Sequence, residues 1–298
     1  MKIGIDIGGS HVAVGLIDMY GQMICKSEEE LHNNLETENC EKILVDAIIR
    51  QIAYVLEKNN TDITKVKLIG IAVPGMVSDT SILKAENLHI KDFNITREIN
   101  KYYNVPTKLR NDAKCAALAE RGYGSLKKAQ DSIFVTIGTG IGGAVFLGGE
   151  LLVPKKYEGF EIGHMVIKKN GIKCNCGRNG CFERYASMRF LKQRIAEELK
   201  KDNISWEELK DIIENNDNKK ISIIVDEYIE DLSLGLANLI NVFEPQSISI
   251  GGSFAYYNVL LEKLKNKMHS EELFNKKNPP KIMLAKLKND AGIIGAVL

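Results

Sequence analysis

The sequence predicts a layered α/β protein built from two related halves, and three observations point there. Strand-like and helix-like patterns alternate along the chain. A strand, glycine turn, strand unit at Gly4-Ile5-Asp6-Ile7-Gly8 recurs at Phe134-Val135-Thr136-Ile137-Gly138. The length of 298 residues suits two domains of roughly 150 residues each.

The elements follow in order. Lys2 to Asp6 reads as a strand, Gly8-Gly9 as its turn, and Val12 to Ile17 as a second strand with alternating apolar positions. Between Glu41 and Glu57, Ile43, Leu44, Ala47, Ile48, Ile52, Val55 and Leu56 form the one-sided stripe of an amphipathic helix. Val66 to Val73 is a strand stopped by Pro74-Gly75, and residues 76–94 are expected to be a long irregular loop. Thr107 to Arg110 is a short strand leading into Asn111-Asp112, which begin an alanine-rich helix. Ile133 to Ile137 precedes a second glycine turn over residues 138–143, with Ala144 to Leu147 as its returning strand. Helices are then expected at Phe182 to Lys201, Ser205 to Asn215 and Ile221 to Phe243, with Ser205 and Glu208 as a capping box. Ser247 to Ile250 runs as a strand into Gly251-Gly252-Ser253, and Lys281 to Leu284 precedes a small-residue helix from Asp290.

Composition removes several classes. Forty Lys and Arg against 39 Asp and Glu give a net charge of +1, and the lysine pairs are scattered, so the basic stripe of a nucleic-acid or anionic-membrane binder is missing. A small, roughly neutral partner is expected. No apolar run approaches the roughly 20 residues that span a bilayer, and the N-terminus has no signal-peptide core, so a cytoplasmic location is expected. Three of the six cysteines crowd into residues 174–181, which points to metal binding rather than a disulfide framework.

Three constellations carry chemistry. The two glycine turns offer backbone N–H groups and close approach to phosphate, although each alone also fits a plain hairpin turn. Gly138-Thr139-Gly140-Ile141-Gly142-Gly143 is not a dinucleotide fingerprint, because a strand rather than a helix follows it. Asn111-Asp112 sets a carboxylate at a strand-to-helix corner, able to accept a proton from a substrate hydroxyl or simply to cap the helix. His164, Cys174, Cys176 and Cys181 form H-x9-C-x-C-x4-C, with Gly177 and Gly180 allowing a tight knuckle. Four nitrogen and sulfur donors with no open position suit structural zinc; the bland alternative is a buried histidine beside reduced thiols. Glu161 and Glu183 flank this knuckle as candidate hydrogen-bond acceptors.

Taken together, DIGGSH (6–11), VPG (73–75), AENL (85–88), NDAKCAALAE (111–120), TIGTGIGGAV (136–145), EIGHMVI (161–167), CNCGRNGCFERYAS (174–187) and SIGGS (249–253) resemble the ROK family of sugar kinases and repressors. The resemblance implies a two-domain, actin-like α/β fold with a central cleft, the N-terminal domain taking residues 1–112 plus 290–298 and the C-terminal domain 113–289. It implies that Asp6, Gly8, Gly9, Ser10, Gly138, Thr139, Gly140 and Gly142 hold ATP phosphates and Mg²⁺, with Gly251 and Gly252 near the adenosine. Asp112 is then the catalytic base, while Asn87, Asn111, Glu161, His164 and Glu183 join Asp112 in binding the sugar. His164, Cys174, Cys176 and Cys181 hold the structural Zn²⁺. The implied reaction transfers phosphate from ATP to the 6-hydroxyl of a hexose, glucose first, with N-acetylmannosamine and N-acetylglucosamine as alternatives. Family repressors lead with a DNA-binding region ahead of the phosphate turn; here that turn begins by residue 8, so a sugar-responsive regulator without kinase activity stands second. A homo-oligomer, commonly a dimer in this family, is the expected assembly. Three positions depart from the family pattern: Lys114 in place of Asn, His11 in place of Lys or Thr, and AENL in place of APNL.

Overall fold

A computed structural model describes residues 1–9, 11–31, 40–153, 160–215, 217–269 and 277–298. They divide into two compact units, one formed mainly by Met1–Gly124 with Asn289–Leu298, the other by Ser125–Leu152 with Gly159–Lys288.

In the first unit, β1 (Lys2–Ile7), β2 (His11–Ile17) and β3 (Met23–Glu30) form an antiparallel meander. Helix α1 (Cys40–Lys58) follows, and β4 (Ile69–Val73) then pairs parallel with β1. The stretch expected to be an irregular loop folds instead into a small antiparallel sheet of β5 (Met76–Val77), β6 (Ile82–Ala85) and β7 (Ile90–Phe93). Strands this short carry too few residues to show a period-two pattern, yet Val77, Ile82, Ala85, Leu88 and Ile90 are all buried and hold the sheet against the core. Helix α2 (Ile95–Asn100) leads to β8 (Thr107–Asn111), parallel to β4, and then α3 (Asp112–Gly122). The main sheet is ordered β3-β2-β1-β4-β8.

Alternation along β1 sorts its residues. Ile3, Ile5 and Ile7 join the apolar core with Leu44, Ile48 and Ile52 of α1, while Gly4 and Asp6 face the C-terminal helix Ala291–Ala296. Methyl groups on Gly4 or Gly70 would collide with the carbonyls of Ile293 and Ala296, so these glycines let the helix lie directly on the sheet. Helix α3 packs on the same C-terminal helix, which is why this unit runs on to Gly124 and past the boundary expected at residue 112.

The second unit repeats the plan. β9 (Ser132–Ile137) and β10 (Ile141–Leu147) are an antiparallel hairpin extended by β11 (Glu150–Leu151). The returning strand starts at Ile141, earlier than the residue 144 expected, so Gly142 lies within β10 opposite Thr136 and outside the turn. The helix expected over 182–201 is two helices, α4 (Glu183–Ala186) and α5 (Met188–Glu198). Ser187 breaks them by taking an extended conformation, in which its Oγ accepts the Phe190 N–H that opens α5. α6 (Trp206–Asn215) starts after Ser205, whose Oγ accepts the Glu208 N–H. Helix α7 (Lys219–Phe243) buries Leu232 and Leu236 in the same apolar core as Ile133, Val135 and Ile137 of β9. β12 (Ser247–Gly251), α8 (Asn258–Lys267) and β13 (Lys281–Leu284) complete the sheet, ordered β11-β10-β9-β12-β13 with β9, β12 and β13 parallel. No helix of the described residues is long and apolar enough to cross a membrane.

Candidate functional site

Four segments of the first unit carry its candidate residues. Asp6, one residue before the end of β1, turns its carboxylate onto Gly292 of the C-terminal helix, where a methyl group would overlap it. Burial there, reinforced by the negative charge of Asp112, pushes its carboxyl up from 3.8 to about 7. A carboxylate held at this cost suits a cation, and oxygen donors of this kind match Mg²⁺. Gly8 and Gly9 make the β1–β2 turn, closed by a 2.8 Å bond from the Gly8 N–H to the His11 carbonyl; Ser10 lies outside the described residues. The His11 imidazole packs on Gly8 and sits 3.8 Å from Glu28. Asn87 is exposed in a 3₁₀ turn, Glu86–Leu88, with its Cβ near Gly9.

Asn111 ends β8 and caps α3. Its Oδ1 accepts the Lys114 N–H at 3.3 Å, and its Nδ2 donates to the Gly75 carbonyl at 3.1 Å. A primary amide has two hydrogens, so one Nδ2–H stays available to a ligand. Asp112 follows as the first residue of α3, its Oδ1 accepting the Ala113 N–H at 2.8 Å. The helix cap and the acid/base candidate thus coexist: Asn111 caps and Asp112 presents a carboxylate. Lys114 is buried, with 3% exposure, one turn along the same helix.

In the second unit, the turn Gly138-Thr139-Gly140 is closed by the Gly138 N–H donating to the Gly140 carbonyl at 3.0 Å. Thr139 is exposed at its tip. A Cβ on Gly140 would lie 2.7 Å from Glu183 Oε2, so the turn and Glu183 are neighbours. The Gly138 carbonyl accepts the Arg189 N–H from α5 at 3.2 Å, a tie that follows from the break at Ser187 and that the continuous-helix expectation hides. Gly251 ends β12 in register with Thr136 near the end of β9, and Gly252 follows it.

His164 closes a 3₁₀ turn, Ile162–His164, that begins after the exposed Glu161. Its Nδ1 lies 3.6 Å from Cys174 Sγ, and Cys176 Sγ lies 3.5 Å from Cys181 Sγ. The four ligand atoms all fall within 4.8 Å of one another. A tetrahedral zinc with bonds of about 2.1–2.3 Å needs donor separations of about 3.7 Å, so the residues fit the ion. Gly177 and Gly180 adopt φ of +88° and +80°, the left-handed turns that let the knuckle fold back. A hydrogen bond from the Arg178 backbone lowers the exposed Cys176 thiol to about 6, while burial pushes Cys181 up to about 12. With Nδ1 aimed at the cluster and 3.6 Å from Glu183 Oε1, Nε2 of His164 is left for another partner. The structure therefore gathers Gly140, Glu183, His164 and the cysteines in the second unit, and Asp6, Asp112, Asn111, Gly9 and Asn87 in the first. The Gly75 carbonyl that orients Asn111 was signalled only by Pro74-Gly75 as a turn.

The ROK family model matches residues 2–298. The xylose repressor of Caldicellulosiruptor bescii is 26% identical over 309 residues, covering 99% of this chain and 76% of that protein. The glucokinase of Thermotoga maritima is 28% identical over 313 residues, covering 99% of this chain and 95% of that protein. A ROK family glucokinase from Streptomyces griseus, solved in complex with glucose and AMPPNP, superposes with a TM-score of 0.84 at 25% identity, covering 99% of this chain and 97% of the other. On the match along its length and the shared two-domain α/β fold, this chain belongs to the ROK family.

Proposed function

We propose that the protein is an ATP-dependent hexose kinase that phosphorylates the 6-hydroxyl of glucose, with N-acetylmannosamine and N-acetylglucosamine as the alternative acceptors. The observation that carries this reading is the pair Asp6 and Asp112, in which Asp6 is buried and driven to about 7 partly by its neighbour's charge. A buried carboxyl raised by a second carboxylate beside it is the kind of pair that catalytic centres use.

Asp112 accepts the proton of the sugar 6-hydroxyl as that oxygen bonds to the γ-phosphorus, and the bond from the γ-phosphorus to the β,γ-bridging oxygen breaks to release ADP. Asn87, the spare Nδ2–H of Asn111, Glu161, Glu183 and Nε2 of His164 hydrogen-bond the remaining sugar hydroxyls and hold the acceptor oxygen in line. With the Gly8 and Gly138 N–H groups already closing the turns, the backbone N–H groups of Gly9, Ser10, Thr139 and Gly140 receive the phosphates, Gly8, Gly138 and Gly142 allow their close approach, and Gly251-Gly252 border the nucleoside. Asp6 would face a Mg²⁺ that would neutralise phosphate charge, and His164, Cys174, Cys176 and Cys181 would hold a zinc that would keep the His164 ring in place.

The test is ADP release from Mg-ATP over a panel of glucose, mannose, fructose, N-acetylglucosamine, N-acetylmannosamine and allose. Turnover on one sugar, lost by a factor of roughly 10²–10⁴ in Asp112→Asn, supports the kinase. The similarity to a xylose repressor over 99% of the chain favours a regulator as the second reading. Sugar binding with no ADP release from any acceptor would establish that reading instead.

A further inference from the structure

We propose that Tyr256, held in place by Lys288, is the platform on which the base of the nucleotide stacks. The inference deepens the kinase reading, because it rests on the glycine turns of the second unit binding a nucleotide.

Three parallel strands end side by side. Thr136 near the end of β9 is in register with Gly251 at the end of β12, and Ile250 is in register with Leu284 at the end of β13. Ligands of parallel sheets bind beyond such carboxyl ends, where the following loops converge. The loop after β9 is the turn Gly138-Thr139-Gly140. The loop after β12 is pressed against it: Gly252 has φ of +70°, and a Cβ there would lie 2.5–2.9 Å from the backbone of Ile137. Ser253 Oγ lies 3.5 Å from where a Cβ on Gly138 would be. Phosphates received at the first turn therefore have the second as their immediate neighbour.

From that second turn the chain makes a 3₁₀ helix, Gly252–Tyr256. Phe254, Ala255 and Tyr257 around it are buried, whereas Tyr256 keeps 39% of its surface exposed. Apolar burial anchors the turn, and one aromatic ring is presented outward. The loop after β13 comes to the same ring. Lys288 Nζ stands 4.8 Å from the centroid of Tyr256, and Lys288 adopts φ of +47°, a conformation costly for a residue with a side chain. A cation over an aromatic face fixes the plane of the ring. The part of the ring left exposed is available to a planar base, at the far end of the short helix that starts at Gly252. Aromatic stacking is the usual protein contribution to holding a base whose edge is not read.

The experiment is calorimetric titration of Mg-ATP and of Mg-tripolyphosphate into the full chain, comparing wild type with Tyr256→Leu, Tyr256→Phe and Lys288→Met. Tyr256→Leu is expected to weaken ATP about tenfold while tripolyphosphate binding stays within about twofold. Tyr256→Phe should restore ATP affinity, and Lys288→Met should show part of the Leu loss for ATP alone. Unchanged ATP affinity in Tyr256→Leu, or a parallel loss of ATP and tripolyphosphate, overturns the platform. If wild type binds neither ligand, the nucleotide reading of the glycine turns fails and the platform falls with it.

Discussion

Replacing Asp6 by asparagine tests the electrostatic cost of the first unit's carboxylate pair. The Asp6 carboxyl stands at about 7 in the folded chain, against 3.8 for an unperturbed aspartate, the first cause being burial and the second the charge of Asp112. The native state therefore holds the Asp6 proton more tightly than the unfolded chain does. Stability contributed by that proton is present below about pH 4 and is lost as pH rises toward 7, after which the loss is constant. A shift of about 3 units at 1.36 kcal/mol each sets an upper bound of about 4 kcal/mol on the cost at pH 8. Asp6→Asn removes the ionisation and keeps the shape. Thermal unfolding without Mg²⁺ or nucleotide should thus give a variant several degrees more stable than wild type at pH 8 and much closer to it at pH 5. The same variant should have lost kinase activity, because the group that costs stability is the one proposed to face the metal. An equal difference in melting temperature at both pH values would refute the argument, since it would show that Asp6 does not titrate between them.

Two further predictions concern the knuckle and the packing of the C-terminal helix. Cys181→Ala should purify without its equivalent of zinc by metal analysis, and glucose affinity should fall with it because the ring of His164 loses its anchor; full zinc content in the variant would remove Cys181 from the ligand set. Gly70→Ala forces a methyl group into the Ala296 carbonyl, so urea unfolding should show a loss of about 1–3 kcal/mol, and an unchanged midpoint would mean that the helix can shift at no cost.

The parts of the fold that were legible are those whose signal is local. Helix α1 carries its apolar stripe within 19 residues, and its observed limits, Cys40–Lys58, follow that stripe closely. The knuckle has three of its four ligands within eight residues, so chain geometry alone brings the thiols together. Strand β3, Met23–Glu30, is partly exposed along its length and ends in three glutamates, which hides it from any apolar pattern. The sheet at 76–93 and the break at Ser187 carry no local signal for a related reason: each depends on which residues find a partner, and that is decided after the chain has collapsed.

The sequence by itself determined the chemistry available: a His/Cys3 ligand set, two glycine turns at the ends of equivalent strands, an Asn-Asp corner and a repeated α/β plan. Those are properties of residue type and spacing, and they survive in a linear reading. Only the tertiary structure decided how each group is tuned. Asp6 is an ordinary aspartate until Gly292 lets the C-terminal helix bury it and α3 brings up Asp112. Tyr256 is an ordinary surface tyrosine until Lys288, 32 positions away (288 − 256), is carried over its ring by the strand between them. Burial, charge proximity and stacking depend on distance in space, and sequence separation does not encode that distance until the sheets have formed.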